Sequence, residues 1–186
     1  MKKILVLNGS PQKDDGTNII LRRLTEALNT SAPGAEADKF DLAAKKISIG
    51  HCGYCGKCKS ISGGECIFNN AASVFIRKVF VADIVVIGTP VYSWGISSQL
   101  EIAVKKLFAE AVELQRRSRG LMLLTEDMEE HYKKTSAKLD GYFRFVSEHL
   151  RWNYLGCVPF PAVGGKSGDC ESEILGKIAA VKEKLA

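Results

Sequence analysis

Four cysteines crowd into one short stretch, Cys52, Cys55, Cys58 and Cys66, with the spacing C-x2-C-x2-C-x7-C. Thiolates placed this way can hold a metal or exchange electrons. Three at intervals of three can wrap one side of an iron–sulfur cube, and the fourth can close it after the Gly63-Gly64 turn. Zinc sites built from four cysteines more often use two separated C-x2-C pairs. Free or redox-active thiols fit the same spacing, and Lys57 and Lys59 favour the thiolate form with any occupant. A [4Fe–4S] cluster, redox thiols and zinc therefore all stay open.

A second constellation lies at the start of the chain. The apolar run Ile4-Leu5-Val6-Leu7-Asn8 leads into Gly9-Ser10-Pro11-Gln12-Lys13-Asp14-Asp15-Gly16-Thr17-Asn18. Ile20, Leu21, Leu24 and Leu28 then recur at helical spacing, with the helix expected from about Thr17. A strand that ends in glycines and hydroxyls and feeds a helix N-terminus is an anion site. The first-turn N–H groups have no partners within the helix, and the helix dipole adds partial positive charge. The loop lacks the Gly-Lys-Ser/Thr of a nucleotide phosphate loop and the Gly-x-Gly-x-x-Gly of a dinucleotide fold. Its neutral hydroxyls and amides suit one terminal phosphate monoester.

These residues need a frame to hold them. Apolar runs at 35–42, 84–88, 120–124 and 154–160 alternate with amphipathic runs at 71–81, 97–113, 128–150 and 171–186. In the run 71–81, Val74, Phe75, Val79 and Phe80 are expected to face inward. Five strands alternating with five helices predict a parallel sheet covered on both faces. Ile84-Val85-Val86-Ile87 is uniformly apolar, as a strand buried on both faces should be. Ligands of such sheets bind beyond the carboxyl ends of the strands, where the strand order reverses. The loops at 9–18, 89–98 and 125–127 are expected to meet there. The 186 residues suit one domain, 1–186, with a cysteine-containing loop at about 43–70.

A formal net charge of +5 is scattered, with no stripe of basic and aromatic residues, which argues against nucleic acid. The opening apolar stretch stops at Asn8, short for a signal peptide, and no run reaches membrane-spanning length. A cytoplasmic protein without a membrane partner is the expectation, and there the cysteines read as metal or redox groups. Cys157, in an apolar strand, reads as a small buried hydrophobe.

Gly9-Ser10-Pro11 with Gly16-Thr17-Asn18 resembles the phosphate loop of the flavodoxin-like NADPH-dependent FMN reductases. The run from Thr89 to Leu100, TPVYSWGISSQL, is similar to that family's flavin-ring loop, and the cysteine loop to one in many of its members, including the iron–sulfur flavoproteins. The resemblance covers essentially the whole chain. It implies an α/β fold: a flavodoxin-like three-layer sandwich with a five-stranded parallel sheet of order 2-1-3-4-5. It implies that Ser10, Gln12, Thr17 and Asn18 hold the phosphate of FMN. Pro90, Val91, Tyr92, Ser93 and Trp94 would line the isoalloxazine ring, with Thr125, Glu126 and Asp127 near its other edge. It also implies a homodimer or homotetramer.

The function expected is an FMN-dependent oxidoreductase that takes electrons from NAD(P)H or a protein donor and passes them to a small-molecule acceptor such as a quinone. No catalytic side chain is required, because the flavin carries the chemistry. One alternative is an iron–sulfur flavoprotein that relays electrons between ferredoxin-like partners through FMN and a [4Fe–4S] cluster. The other is a redox or metal sensor acting through its cysteines.

Overall fold

In the computed structural model, residues 1–31, 34–43, 55–60, 70–127, 132–163 and 169–185 are described. Strands β1 (Lys2–Asn8), β2 (Ala35–Asp41), β3 (Ile84–Pro90), β4 (Gly120–Asp127) and β5 (Asn153–Pro161) pair in parallel, in the order β2-β1-β3-β4-β5. The expected flavodoxin-like topology is therefore present. The chain leaves β1 toward β2 on one side and reaches β3 on the other, so the strand order reverses between β1 and β3.

Helices cover both faces: α1 (Gly16–Ser31), α3 (Asn70–Val81), α4 (Ser98–Ala109), α6 (Tyr132–Leu150) and α7 (Asp169–Leu185), with the single turns α2 (Lys57–Ser60) and α5 (Ala111–Leu114). The period of two along the strands sorts the core. Leu5, Leu7, Val85, Ile87, Leu121 and Leu123 pack with α3, α4, α5 and α6. Ile4, Val6, Val86, Met122 and Leu124 face the other way, onto Ile20, Leu21, Leu24 and Leu28 of α1 and Ile174, Ile178 and Val181 of α7. Each central strand is apolar on both sides for this reason.

Four expectations need correction. Val74 is exposed, and Ile76 takes the inward place beside Phe75 and Val79. The helix expected over 97–113 is broken at Glu110 into α4 and α5. Thr89 and Pro90 belong to β3 rather than to a loop. Thr125, Glu126 and Asp127 likewise continue β4, because the ladder carries on through Thr89↔Thr125 and Pro90↔Glu126 on one side and Glu126↔Phe160 on the other. This last difference decides which way those three side chains point.

Candidate functional site

The β1–α1 loop is organised by its own polar side chains. The Asn8 side chain donates to Asp41 at 2.8 Å and accepts from the Ser10 backbone N–H at 3.0 Å, which fixes the turn out of β1. The Ser10 hydroxyl accepts from the Gln12 N–H at 3.0 Å and donates to the Asp15 carboxylate. Asp15 caps α1: its carboxylate accepts from the Asn18 N–H at 2.9 Å, and its carbonyl takes the first helical hydrogen bond, from Ile19, at 3.1 Å. The Asn18 side-chain amide donates back to the Lys13 carbonyl. Gly9 lies so close to β3 that a Cβ there would sit 2.9 Å from the Gly88 carbonyl oxygen.

Three of the four residues expected to hold a phosphate, Ser10, Thr17 and Asn18, thus gather at the start of α1, with Ser10 and Thr17 fully buried. Gln12 is exposed, and its backbone N–H rather than its side chain joins the network.

Glu126 reaches the same place from β4. Its carboxylate accepts from the Thr17 hydroxyl at 3.2 Å and from the Val163 backbone N–H. It lies against the helix start so closely that a Cβ on Gly16 would be 2.4 Å from Oε1. Only 8% of Glu126 is exposed. Burial pushes its carboxyl above the usual range, and the charges of Asp15 and Asp127 push it further, against the Thr17 and Val163 hydrogen bonds. The structure sets Glu126 against the start of α1, on the Thr17 hydroxyl and the Val163 N–H.

Its neighbours Thr125 and Asp127 alternate to the other face of the sheet. The Thr125 hydroxyl lies 2.6 Å from that of Ser136 and is hydrogen-bonded to Cys157. Cys157 is mostly buried, as expected, and burial raises its thiol to about 12. Asp127 is buried as well.

Beyond β3 the chain makes a tight turn. The Tyr92 N–H donates to the Gly95 carbonyl at 3.0 Å and the Gly95 N–H returns to Tyr92 at 2.9 Å. Ser93 and Trp94 between them have φ of 47° and 60°. Both central residues are left-handed, the pattern of a type I′ turn, yet neither is glycine or asparagine. The turn is held from below. Val91 N–H donates to the Glu126 carbonyl at 2.8 Å, and the Ser97 hydroxyl caps α4 at 3.2 Å while donating to the Gly9 carbonyl. Ser97 therefore ties the two loops together. Trp94 is 66% exposed and Tyr92 43%, so neither is a core residue. The Tyr92 hydroxyl is in hydrogen-bonding reach of Ser10, and burial followed by Asp15 raises it above the usual phenol.

Pro90 to Trp94 and the β1–α1 loop therefore meet at the carboxyl end of the sheet, where the strand order reverses. Beneath the start of α1, Thr17, Ile20, Leu21, Gly88, Leu124, Thr125, Glu126 and Phe160 line a narrow crevice against the ends of β3, β4 and β5. Sequence reasoning missed Asp15, Ser97 and the placement of Glu126. The first was legible, since an aspartate three residues before Asn18 is a capping pattern; the other two depend on tertiary contacts.

Among the cysteines, Cys55 is exposed and Cys58 lies on α2. Cys52 and Cys66 fall outside the described residues, so the cluster expectation falls largely outside them too. Among the described residues, no helix is long and apolar enough to cross a membrane.

Comparison with known proteins agrees with this geometry. The sequence profile of the NADPH-dependent FMN reductase family matches residues 2–137. An iron–sulfur flavoprotein of Methanocaldococcus jannaschii is 26% identical over 179 residues, covering 94% of this chain and 89% of that protein. An iron–sulfur flavoprotein of Archaeoglobus fulgidus is 29% identical over 107 residues, which is 58% of this chain and 46% of that protein. Among solved structures, an NAD(P)H:quinone oxidoreductase from Methanothermobacter marburgensis superposes with a TM-score of 0.77 at 13% identity, over 100% of this chain and 99% of that one. An azoreductase from Bacillus anthracis gives 0.70 at 14% identity, over 100% and 99%. The chain belongs to the NADPH-dependent FMN reductase family, and so to the FMN-dependent oxidoreductases.

Proposed function

We propose that the start of α1, with Ser10, Thr17, Asn18 and the Gln12 backbone, holds the FMN phosphate, and that Pro90, Val91, Tyr92, Ser93 and Trp94 line the ring. The observation that carries this reading is the meeting of a hydroxyl-rich helix start and an exposed aromatic turn at one end of the sheet, joined by Ser97 and Gly9. The donor set fits the group. Ser10 and Thr17 hydroxyls and the first N–H groups of α1 already hold carboxylates, which are anionic oxygens of similar demand.

FMN, when bound, supplies hydride acceptance from a nicotinamide and onward electron transfer. The protein supplies orientation. The cap by Asp15 fixes the helix start, the Ser97–Gly9 bond sets the distance between the loops, and the rigid turn presents Tyr92 and Trp94 to a ring face. Thr125 and Asp127, on the other face of the sheet, act through packing. The donor is NAD(P)H and the acceptor a small electrophile of the quinone class. One flavodoxin-like domain over 1–186 carries this activity in the cytoplasm, as a homodimer or homotetramer.

A second reading rests on the spacing of Cys52, Cys55, Cys58 and Cys66 and on the names of the relatives. In it a [4Fe–4S] cluster in the cysteine loop passes electrons between FMN and a ferredoxin-like partner. Anaerobic purification separates the two. Two-band flavin absorption with rapid NAD(P)H-dependent quinone reduction supports the first reading. Added brown absorption with iron and labile sulfide supports the second, and a colourless chain that takes up no FMN removes both.

A further inference from the structure

The helix start that should receive a phosphate already carries a carboxylate from another strand. Glu126 spans from β4 to α1, takes the Thr17 hydroxyl at 3.2 Å, and lies against Gly16. A phosphate drawn to the same donors would meet it at contact distance. Two like charges in one desolvated seat repel strongly, because neither water nor salt screens them well there. We infer that Glu126 determines how the flavin seat treats a phosphorylated flavin: ionised, it holds the phosphate donors itself and excludes the dianion; protonated, it releases them. The inference rests on the flavin reading above and adds a specificity residue to it.

The surroundings of Glu126 decide the sign. From the β1–α1 loop it faces Asp15, and from its own strand Asp127, both negative. From α1 it faces Thr17 and the Gly16 backbone, and from the segment after β5 the Val163 N–H, all neutral. From the turn after β3 comes Tyr92, a neutral phenol whose own ionisation Glu126 opposes. The side chain at the nearby Gln12 is neutral too. The two charges acting on Glu126 thus favour its protonated form, and a phosphate dianion arriving beside it favours that form further. Binding of FMN then draws a proton onto Glu126, and affinity falls as that proton becomes harder to hold. Riboflavin, which lacks the phosphate, is indifferent to the same proton.

The test titrates full-length protein freed of flavin with FMN and with riboflavin, following flavin fluorescence, for wild type and Glu126→Gln. At about pH 8 the variant should bind FMN about tenfold more tightly than wild type, and the gap should narrow as pH falls. Riboflavin affinity should be the same in both proteins throughout. The second ionisation of the phosphate itself, near about 6, affects both proteins alike and cancels in the ratio. Equal FMN affinities at pH 8, or a riboflavin gain as large as that for FMN, would overturn the inference while leaving the flavin reading intact. Should Glu126→Gln misfold, Glu126→Ala replaces it in the same titration, and a gain for FMN no larger than that for riboflavin again overturns the inference. Failure of both proteins to bind FMN at every pH would remove the flavin reading and this inference with it.

Discussion

The two ends of the sheet handle buried polar groups in opposite ways. At the amino end, the guanidinium of Arg119 is buried just before β4 and donates to four carbonyls: Leu114 at 3.0 Å, Arg117 at 2.8 Å, Val79 at 3.1 Å and Phe80 at 2.9 Å. Its flat face lies 5.6 Å from the Trp152 ring. One cation meets several acceptors, each with its own donor. At the carboxyl end, two carboxylates, from Asp15 and Glu126, converge on the hydroxyls and N–H groups of one helix start, and the adjoining turn is held in a backbone conformation its residues disfavour. The amino end is finished as it stands. The carboxyl end instead crowds two like charges onto one helix start.

The sharpest way to break this contrast is at Arg119. Replacing it with methionine keeps much of the volume but takes the guanidinium from four carbonyls, of which Val79 retains the Ala82 N–H and Leu114 the Trp152 indole N–H. Removing one partner of such a network costs about 3–5 kcal/mol. Urea unfolding should show that loss, and the folded fraction should bind FMN as wild type does, because the clamp lies at the far end of the strands. A loss under 1 kcal/mol would mean that water reaches those carbonyls freely and that the amino end is not the closed structure described here.

The next largest effect belongs to Gly9. An added methyl would press on the Gly88 carbonyl and, 3.1 Å away, on the Leu100 side chain. The first of these is backbone and cannot swing aside, so overpacking of about 1–3 kcal/mol is expected. Because Gly9 also receives the Ser97 hydroxyl, the strain should separate the two loops. Gly9→Ala should therefore weaken FMN binding by at least about tenfold, in contrast to Arg119→Met, which costs stability without touching the ligand.

How much of this was legible in the sequence differs between the ends. The strands followed from apolar runs and from alternation with helices, since a doubly covered parallel strand has no polar side to disguise it, whereas their order was implied by the family resemblance. The β1–α1 loop was legible because helix starts need caps and close approaches need glycine, both local demands. Arg119 carried no such mark: its partners are carbonyls of 79, 80, 114 and 117, which any residue type supplies. Glu126 was picked out, but its contact with Thr17 was not. Reading Thr125 to Asp127 as a loop left their directions free, whereas the continuing ladder sends Glu126 to α1 and its neighbours to the opposite face. Val74 failed for a related reason, because two helical phases share nearly the same apolar residues and packing against β1 and β2 selects the one that includes Ile76.

A pH series sharpens the contrast with a smaller effect. The raised carboxyl of Glu126 means that its favourable contribution to folding is complete below the unfolded value of about 4.3 and is lost as pH rises through the higher folded value. Glu126→Gln has no such loss. Unfolding of the flavin-free proteins should therefore show the variant gaining on wild type as pH rises from about 4 to 8. No matching trend is expected at Arg119, which stays charged across that range although burial lowers its proton affinity.

The smallest effect concerns the turn at 92–95, where strain and function can be separated. Left-handed backbone costs a residue with a side chain about 1 kcal/mol, and Ser93 and Trp94 both bear it. Asparagine tolerates that conformation and glycine accepts it freely. Ser93→Asn should thus add about 0.5 kcal/mol of stability, read by unfolding of the flavin-free protein. Trp94→Gly should add about 1 kcal/mol, with little burial to forfeit since the ring is mostly exposed, but should weaken flavin binding or slow NAD(P)H-dependent reduction. The two variants together test whether the strain is maintained for the ring. If Trp94→Gly destabilises the flavin-free protein, the indole is packing against the fold rather than waiting for a ligand. If it stabilises the protein without affecting flavin binding or turnover, the turn is strained for a reason that lies elsewhere than the ring it was expected to line.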